Sequence, residues 1–161
     1  MYLSVIDSPF GPLTLSANDT ALTGLWFPMQ TYAPAHPEGI YRPDHPVFKQ
    51  TADWLAAYFS RSPLPPMPSL APQGTDFRQA VWQQLLKIPY GETTTYGAIA
   101  DRLRSEGQTA SALAVGGAIG HNPISILIPC HRVIGADGSL TGYAGGLEIK
   151  RQLLLLECNV I

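Results

Sequence analysis

The chain places a cysteine directly before a histidine at the end of an apolar run, in the segment ILIPCHRVI of residues 126–134. A thiol with an ordinary pKa of about 8.5 becomes a strong nucleophile only when a base or a positive charge raises its thiolate fraction. The pair Cys130 and His131 therefore indicates nucleophilic chemistry. The alternative interpretation is a buried structural cysteine with an incidental histidine neighbour, and the pair alone does not decide between the two.

Composition bounds the class of protein. The chain has 161 residues, of which 45% are hydrophobic and 14% charged, so it can build the core of one ordinary domain or of two small ones. Its two cysteines lie far apart and form no C-x-x-C spacing, which favours a reducing, cytoplasmic setting. The N-terminus has no signal-peptide pattern, and no apolar run reaches the roughly 18 residues of a membrane span. We therefore expect neither secretion nor membrane insertion.

The distribution of charge limits how the chain can bind a nucleic acid. The formal net charge of −2 falls entirely on residues 1–74, because residues 75–161 carry equal numbers of acidic and basic side chains. A protein that binds DNA mainly through charge needs a strongly basic surface. If this chain binds DNA, we expect the second half to do so, with little help from net charge.

The first half has the pattern of a small α/β domain. Turn residues separate three short β-prone runs, which predicts an antiparallel meander. The runs are residues 3–6, 13–16 and 22–27. Residues 28–46 show no period and are predicted to form a loop, with His36 and His45 at the surface. Apolar residues then recur at helical spacing over 46–61, which predicts an amphipathic helix beside the sheet.

A proline-rich segment marks the predicted domain boundary. Residues 62–72 contain five prolines in eleven residues, a density that excludes a helix and disfavours a central strand. We interpret this segment as a semi-rigid linker. The predicted domains are residues 1–73, a small α/β domain that ends in the linker, and residues 74–161.

Helical periodicity dominates the second half. Thr75 and Thr95 are placed to cap two helices, a helix of small residues is predicted for 109–119, and a leucine-rich helix for 147–158. That last helix carries Lys150, Arg151 and Glu157 among leucines, and its default role is to pack in the core. Two helices joined by a short glycine-containing turn fit a helix-turn-helix. The predicted fold is therefore an α/β N-terminal domain with a small antiparallel sheet and a helix, followed by an all-α C-terminal domain.

Four ordered blocks carry a family resemblance that covers nearly all of residues 74–157. They read GTDFRQAVW from Gly74, IPYGETTTYG from Ile88, AVGGAIGHNPISILIPCHRVIG from Ala114, and GSLTGYAGGLEIKRQLLLLE from Gly138. The segment PCHRV of the third block resembles the active-site signature of the O6-alkylguanine-DNA alkyltransferases, and the other blocks occur in the order that this family shows. The N-terminal DSPFGPLTL is similar to bacterial members but less specific.

The resemblance implies a DNA repair protein. It implies a helix-turn-helix in the minor groove of double-stranded DNA, a damaged guanine flipped into a pocket, and irreversible transfer of its alkyl group to the protein. O4-alkylthymine is a possible second substrate. This fits the chemistry, because an alkyl carbon inside a duplex is inaccessible to a thiolate until the base is extruded. We expect a monomer without a cofactor, and no zinc site, because residues 1–74 contain no cysteine.

Residue by residue, the resemblance assigns five catalytic positions. Cys130 matches the alkyl acceptor, and His131 matches the imidazole that takes the thiol proton through a water molecule. Glu157 matches the carboxylate that orients this imidazole, which requires the last helix to return to the cysteine. Tyr96 matches the phenol that donates a hydrogen bond or a proton to the departing guanine. Asn122 matches an asparagine that joins the helix-turn-helix to the active-site loop.

Two further sets of residues follow from the same resemblance. The pocket wall is assigned to Val133, Tyr143, Ala144 and Gly145, and the DNA surface to Thr109, Ala110, Leu113, Ala114 and Gly116. Many relatives carry serine in place of Ala144, but the contact expected there is a backbone N–H. Leu113 falls where the family has an arginine that fills the stack left by the flipped base. Arg132 is expected to hold the fold rather than to meet DNA.

Three other functions compete with this interpretation. A non-catalytic lesion sensor like the alkyltransferase-like proteins would lack the acceptor cysteine, which Cys130 argues against. A thiol hydrolase would use the same cysteine, histidine and glutamate but would turn over repeatedly. A plain helix-turn-helix regulator needs polar side chains that read bases, whereas alanine, valine and glycine dominate residues 109–119.

Overall fold

The structure is a computed structural model that describes residues 1–158. Residues 159–161, the end of the predicted second domain, lie outside the described residues. The chain divides into two compact units. The first comprises Met1–Gln73 and Pro123–Ser125, and the second comprises Gly74–Asn122 and the chain from Ile126 on. No pattern in the sequence indicates that residues 123–125 belong with the first unit.

A four-stranded sheet organises the first unit, in the order β3-β2-β1-β4. Its strands are β1 (Tyr2–Ile6), β2 (Leu13–Ala17), β3 (Leu22–Trp26) and β4 (Ile40–Tyr41). The first three pair in antiparallel fashion, which confirms the predicted meander. However, β4 pairs in parallel with β1, so the sheet is mixed and the prediction of a purely antiparallel sheet is wrong. Two exposed residues in a proline-rich stretch give too short a pattern for sequence analysis to recognise.

Helix α1 (Pro46–Phe59) packs against β2 and begins at an unusual cap. The Nδ1 atom of His45 accepts a hydrogen bond of 3.1 Å from the backbone N–H of Val47. Its ring lies against the rings of Tyr2 and Phe48, at centroid distances of 4.9 and 5.4 Å. The prediction that His45 is a surface residue is therefore wrong, because capping and ring packing bury it.

The outer edge of β3 is covered by two short segments of the chain. Ser69 accepts a hydrogen bond from Leu22, which in turn accepts one from Ala71, so the end of the proline-rich segment lies along the sheet. Farther along the same edge, Leu25 donates to Pro123 and accepts from Ser125. These contacts satisfy backbone groups that an open edge leaves unpaired.

Four helices build the second unit. They are α2 (Asp76–Leu85), α3 (Tyr96–Ser105), α4 (Ala112–Gly120) and α5 (Leu147–Cys158). Thr75 and Thr95 cap α2 and α3 as predicted, through their side-chain oxygens. The indole N–H of Trp82 donates to the carbonyl oxygen of Ala118 at 2.9 Å, which ties α2 to α4 inside the core. None of the helices formed by residues 1–158 has the length and apolar character needed to cross a bilayer.

A two-stranded parallel ladder joins two parts of the second unit. Strand β5 (Thr94–Thr95) pairs with β6 (Val133–Ile134), with Thr94 opposite Val133 and Thr95 opposite Ile134. The second unit is thus helical but not all-α, and that detail of the prediction is wrong. Strands of two residues have no detectable period in sequence. This ladder fixes the start of α3 beside the segment that follows Cys130.

Candidate active site

Cys130 opens a single turn of 3-10 helix, Cys130–Arg132, inside the second unit. The thiol is buried, and the surrounding run 124–133 is buried along its whole length. Four residues upstream, Ile126 has a φ of 71°. A β-branched residue rarely adopts this left-handed conformation, which is strained and persists only where the surrounding structure enforces it. The approach to the cysteine is therefore held rigidly by its packing.

Helix α5 returns to this turn and brings a carboxylate to the histidine. His131 Nε2 and Glu157 Oε2 are 2.5 Å apart, and their side chains are 0% and 1% exposed. Arg132 donates from Nε to Oε1 at 2.7 Å and from Nη2 to Oε2 at 3.1 Å. The backbone N–H of Gly91 also donates to Oε1, at 3.4 Å. Glu157 is thus fixed by charge-assisted hydrogen bonds and can orient the imidazole.

The environment keeps His131 in its neutral, basic form. Burial lowers the pKa of His131, and the hydrogen bond to Glu157 only partly offsets this effect. A neutral imidazole that donates from Nε2 carries its lone pair on Nδ1. The Nδ1 atom is buried and has no hydrogen-bond partner among residues 1–158. This nitrogen is therefore available to accept a proton.

Burial has the opposite effect on the thiol. It raises the pKa of Cys130, while a hydrogen bond from the Asn122 side chain, the positive charge of Lys150 and a hydrogen bond from Tyr143 each lower it. Because burial is the largest of these effects, the resting thiol keeps its proton at neutral pH. A nucleophile in this position needs a base at the moment of reaction, and His131 is the next residue along the chain.

Asn122 links helix α4 to the cysteine segment. It follows the C-terminal end of α4, and its Nδ2 atom donates to the carbonyl oxygen of Ile128 at 2.9 Å. Its side chain is buried, so these hydrogen bonds form away from water, where they are strongest. The structure thus places Asn122 between the helix pair and the active-site turn.

Tyr96 is the first residue of α3 and lies half-buried directly after the β5–β6 ladder. Its hydroxyl donates to the carbonyl oxygen of Thr141 at 3.1 Å and accepts from the Thr141 hydroxyl at 3.1 Å. A carbon placed on Gly116 of α4 would lie 3.8 Å from its ring, an ordinary contact distance. The ladder that precedes α3 and the two hydrogen bonds with Thr141 therefore position this phenol, and Gly116 leaves space beside its ring.

The predicted pocket residues all follow the active-site turn in sequence. Val133 is buried in β6, directly after Arg132. Tyr143, Ala144 and Gly145 are half-buried in the loop before α5. A hydrogen bond of 2.9 Å from the N–H of Gly146 to the carbonyl of Tyr143 closes this part of the loop into a tight turn.

The predicted DNA-contacting residues differ in their placement. Leu113 is 88% exposed near the start of α4, and Ala114 beside it is also exposed. Thr109 and Ala110, however, precede the helix, so the prediction that α4 begins at residue 109 is wrong. The Ser111 side chain accepts from the N–H of Ala114 and so sets the start of the helix at Ala112.

Two residues of this site have no role in the sequence prediction. Thr141 accepts from Tyr96, and the fully buried Lys150 donates from Nζ to the carbonyls of Thr141 and Gly142 at 2.8 and 3.1 Å. Lys150, Leu153 and Glu157 form the buried stripe of α5. The sequence does contain a signal for such a role, because Lys150 and Glu157 lie seven residues apart on one face of a leucine-rich helix. Charged side chains are buried only where specific partners compensate them, so this pair marks a functional or paired site.

The described residues hold no cluster of three or more histidine, cysteine, aspartate or glutamate side chains that suits a metal ion. Cys130 and Cys158 are both free thiols.

Comparison with known proteins finds similar proteins over nearly the whole chain. Residues 1–65 match the family model of the 6-O-methylguanine DNA methyltransferase ribonuclease-like domain, and residues 76–159 match that of its DNA binding domain. A methylated-DNA–protein-cysteine methyltransferase of Mycobacterium tuberculosis is 50% identical over 157 residues, which cover 98% of this chain and 92% of the relative. The protein of that name from Methanosarcina barkeri is 46% identical, with 99% and 98% covered.

A solved structure shows the same fold. It is the Mycobacterium tuberculosis protein OGT in complex with DNA, which superimposes with a TM-score of 0.88 at 48% identity and covers 99% of this chain and 94% of the other.

Proposed function

This chain belongs to the 6-O-methylguanine DNA methyltransferase family, and from this premise we propose that Cys130 is the residue that accepts the alkyl group. The protein acts in DNA repair and transfers a methyl group from methylated DNA to one of its own cysteines. The observation that carries the assignment to Cys130 is the neighbouring His131, a neutral base held by the buried Glu157. Cys158 is exposed, and neither of its neighbours in the sequence is a histidine.

Activation of the thiol begins at Nδ1 of His131. This atom accepts the Cys130 proton through one bridging water, while Nε2 keeps its hydrogen bond to Glu157. The resulting imidazolium is stabilised by the carboxylate, which Arg132 holds in place. The thiolate Sγ then attacks the alkyl carbon, a Cys130–alkyl thioether forms, and the bond from this carbon to O6 of guanine breaks.

Tyr96 donates a hydrogen bond to guanine, which is the leaving group. Guanine departs with the electron pair of the broken bond, so a donor on the ring lowers the barrier. In the absence of DNA the Tyr96 hydroxyl donates to the backbone oxygen of Thr141. When the flipped base enters the pocket, the hydroxyl donates to an acceptor atom of the base instead. The pocket walls are formed by Val133 and by the loop of Tyr143, Ala144 and Gly145. Because the thioether is stable, each molecule reacts once.

DNA binding is assigned to the helix pair α3 and α4, which we propose acts as a helix-turn-helix in the minor groove of double-stranded DNA. The exposed face of α4 carries alanine, glycine and Leu113, so the helix backbone can approach the duplex closely. Leu113 projects as an apolar wedge that helps to extrude the alkylated guanine. Thr109, Ala110, Ala114 and Gly116 complete the proposed contact surface. The protein acts as a monomer in the cytoplasm, a setting that the two free thiols fit.

Reaction stoichiometry separates this function from its closest chemical rival, a thiol hydrolase. Purified protein is mixed with an excess of a duplex that contains O6-methylguanine, and the repaired base is counted over time. The proposal predicts one equivalent of repaired guanine per protein and then no more. Continued turnover beyond one equivalent means that Cys130 is a hydrolase nucleophile, and the proposal is then wrong.

A further inference from the structure

Lys150 is a buried cation in the active site, and its contacts are unusual for a lysine. Its side chain is 0% exposed, and its ammonium donates to the backbone oxygens of Thr141 and Gly142 at 2.8 and 3.1 Å. Within residues 1–158 it forms no ion pair with a carboxylate. Burial of an unpaired charge costs free energy, so such a group is retained only where its surroundings compensate that cost.

The charges that face Cys130 single out this lysine. Glu157 is neutralised by Arg132, and burial keeps His131 uncharged. The side chains of Tyr96 and Tyr143 are phenols and cannot carry a positive charge. The ammonium of Lys150 is therefore the positive charge near the thiol that no described carboxylate matches. Burial lowers the pKa of Lys150, and the Cys130 thiolate partly offsets this effect. In turn, the charge of Lys150 lowers the pKa of Cys130, against the larger effect of burial.

The same ammonium also organises the opposite side of the pocket. The carbonyl oxygen of Thr141 accepts from both Lys150 Nζ and the Tyr96 hydroxyl. Lys150 Nζ lies 6.0 Å from the centroid of the Tyr96 ring, within the range of a cation–π contact. Gly142, the second carbonyl partner, has a φ of 38°, and Tyr143 follows it in the pocket loop. One cation thus connects the nucleophile, the phenol and the pocket loop.

We propose that Lys150 is a positioning residue whose ammonium stabilises the Cys130 thiolate and, through Thr141 and Gly142, fixes Tyr96 and the pocket loop for alkyl transfer. The proposal rests on the assignment of Cys130 as the acceptor. Lys150 acts in its ammonium form, and it forms and breaks no covalent bond. The thiol proton still passes to His131, so the lysine sets how much thiolate exists rather than how the proton leaves.

The first test measures thiol reactivity without any DNA. In a Cys158→Ser background, the rate of Cys130 alkylation by iodoacetamide is recorded against pH for wild type, Lys150→Met and Lys150→Arg. We expect Lys150→Met to move the midpoint to higher pH by about one unit, a roughly tenfold loss of thiolate at neutral pH. Lys150→Arg keeps the charge and restores the wild-type midpoint. An unchanged midpoint in Lys150→Met would overturn the proposal.

A matched control separates charge from packing. Leu154 is half-buried on the same helix and carries no charge. Leu154→Ala lowers stability but should leave the pH midpoint at its wild-type value. If Leu154→Ala shifts the midpoint as far as Lys150→Met does, the effect comes from loosened packing and the proposal is wrong.

The second test needs no lysine variant and therefore holds even if Lys150→Met fails to fold. The chain has three lysines, and Lys49 and Lys87 are exposed. In protein labelled with ¹³C-lysine, the Lys150 side-chain resonance should show a step at the pH where Cys130 ionises, and Cys130→Ser should remove this step. Identical Lys150 titrations in the two proteins would contradict the proposal. Neither test uses alkylated guanine, so a failure here is distinct from a failure of the transfer assignment.

Discussion

His131 and Glu157 lie 26 residues apart in sequence and meet in a hydrogen bond of 2.5 Å that is sealed from solvent. Helix α5 makes this contact possible, because its buried stripe carries the carboxylate back to the turn that holds Cys130. The bond fixes which imidazole nitrogen is free. The catalytic proposal follows from this relationship, since a nitrogen held away from Glu157 is the base that a protonated thiol requires.

The first prediction concerns this base. His131→Ala should slow transfer from O6-methylguanine in duplex DNA by about 10²–10⁴-fold, the usual contribution of a positioned general base. Higher pH should partly restore the rate, because the thiol then ionises without help. Single-turnover rates across a pH series measure this, with the exposed His36→Ala as the control. Parallel pH profiles for wild type and His131→Ala would refute the role of His131 as base.

The second prediction concerns the arginine that holds Glu157. Arg132→Met leaves a buried carboxylate without its cation, which typically costs about 3–5 kcal/mol of unfolding free energy. Urea unfolding measures this loss. Arg151→Met, which breaks the exposed pair with Glu148, is the control and should have little effect. Equal stabilities for the two variants would show that Arg132 does not support the site.

The third prediction is a stability plateau set by two buried groups. Burial lowers the pKa of His131, so its contribution to stability is complete above about pH 6.5 and is lost as the pH falls below that value. Burial raises the pKa of Cys130, so its contribution is complete below about pH 8.5 and is lost as the pH rises.

Urea midpoints measured across this pH range test both branches. His131→Gln should reduce the loss of stability at acid pH and leave the alkaline side of the curve unchanged. Cys130→Ala should reduce the loss of stability at alkaline pH and leave the acid side unchanged. If both variants retain the full wild-type curve, other groups control the pH dependence of stability.

The fourth prediction concerns the exposed Leu113. An apolar side chain can wedge between bases, but it cannot pair with the orphaned cytosine or with phosphate as an arginine does. Leu113→Arg should therefore tighten DNA binding or speed transfer on duplex DNA, and Leu113→Ala should slow it. Neither change should alter the reaction with the free O6-alkylguanine base, which needs no extrusion. Equal duplex rates for wild type and Leu113→Ala would show that this side chain is not the wedge.

The elements that can be predicted from the sequence are those whose signals are local. The caps at Thr75 and Thr95 and the three long strands of the first unit follow from side-chain chemistry and from periodicity. The two-residue strands β4, β5 and β6 have no period to detect, and the burial of His45 depends on rings that are distant in sequence.

The same distinction applies within the site. The cysteine segment was evident because its residues are contiguous in the chain. The function of Lys150 was not, because a lysine in a leucine-rich helix acquires meaning only when folding brings the Thr141 and Gly142 carbonyls to its ammonium. Tertiary contacts, rather than local propensity, decide such positions.

The most direct test of the central claim is the mass of the protein after reaction. The protein is incubated with a duplex that contains O6-methylguanine, and its intact mass and its proteolytic peptides are then measured. We predict one added methyl group, located on Cys130, and no addition in Cys130→Ser. A methyl group on Cys158, or repair without any methyl group on the protein, would contradict the assignment of Cys130 as the acceptor.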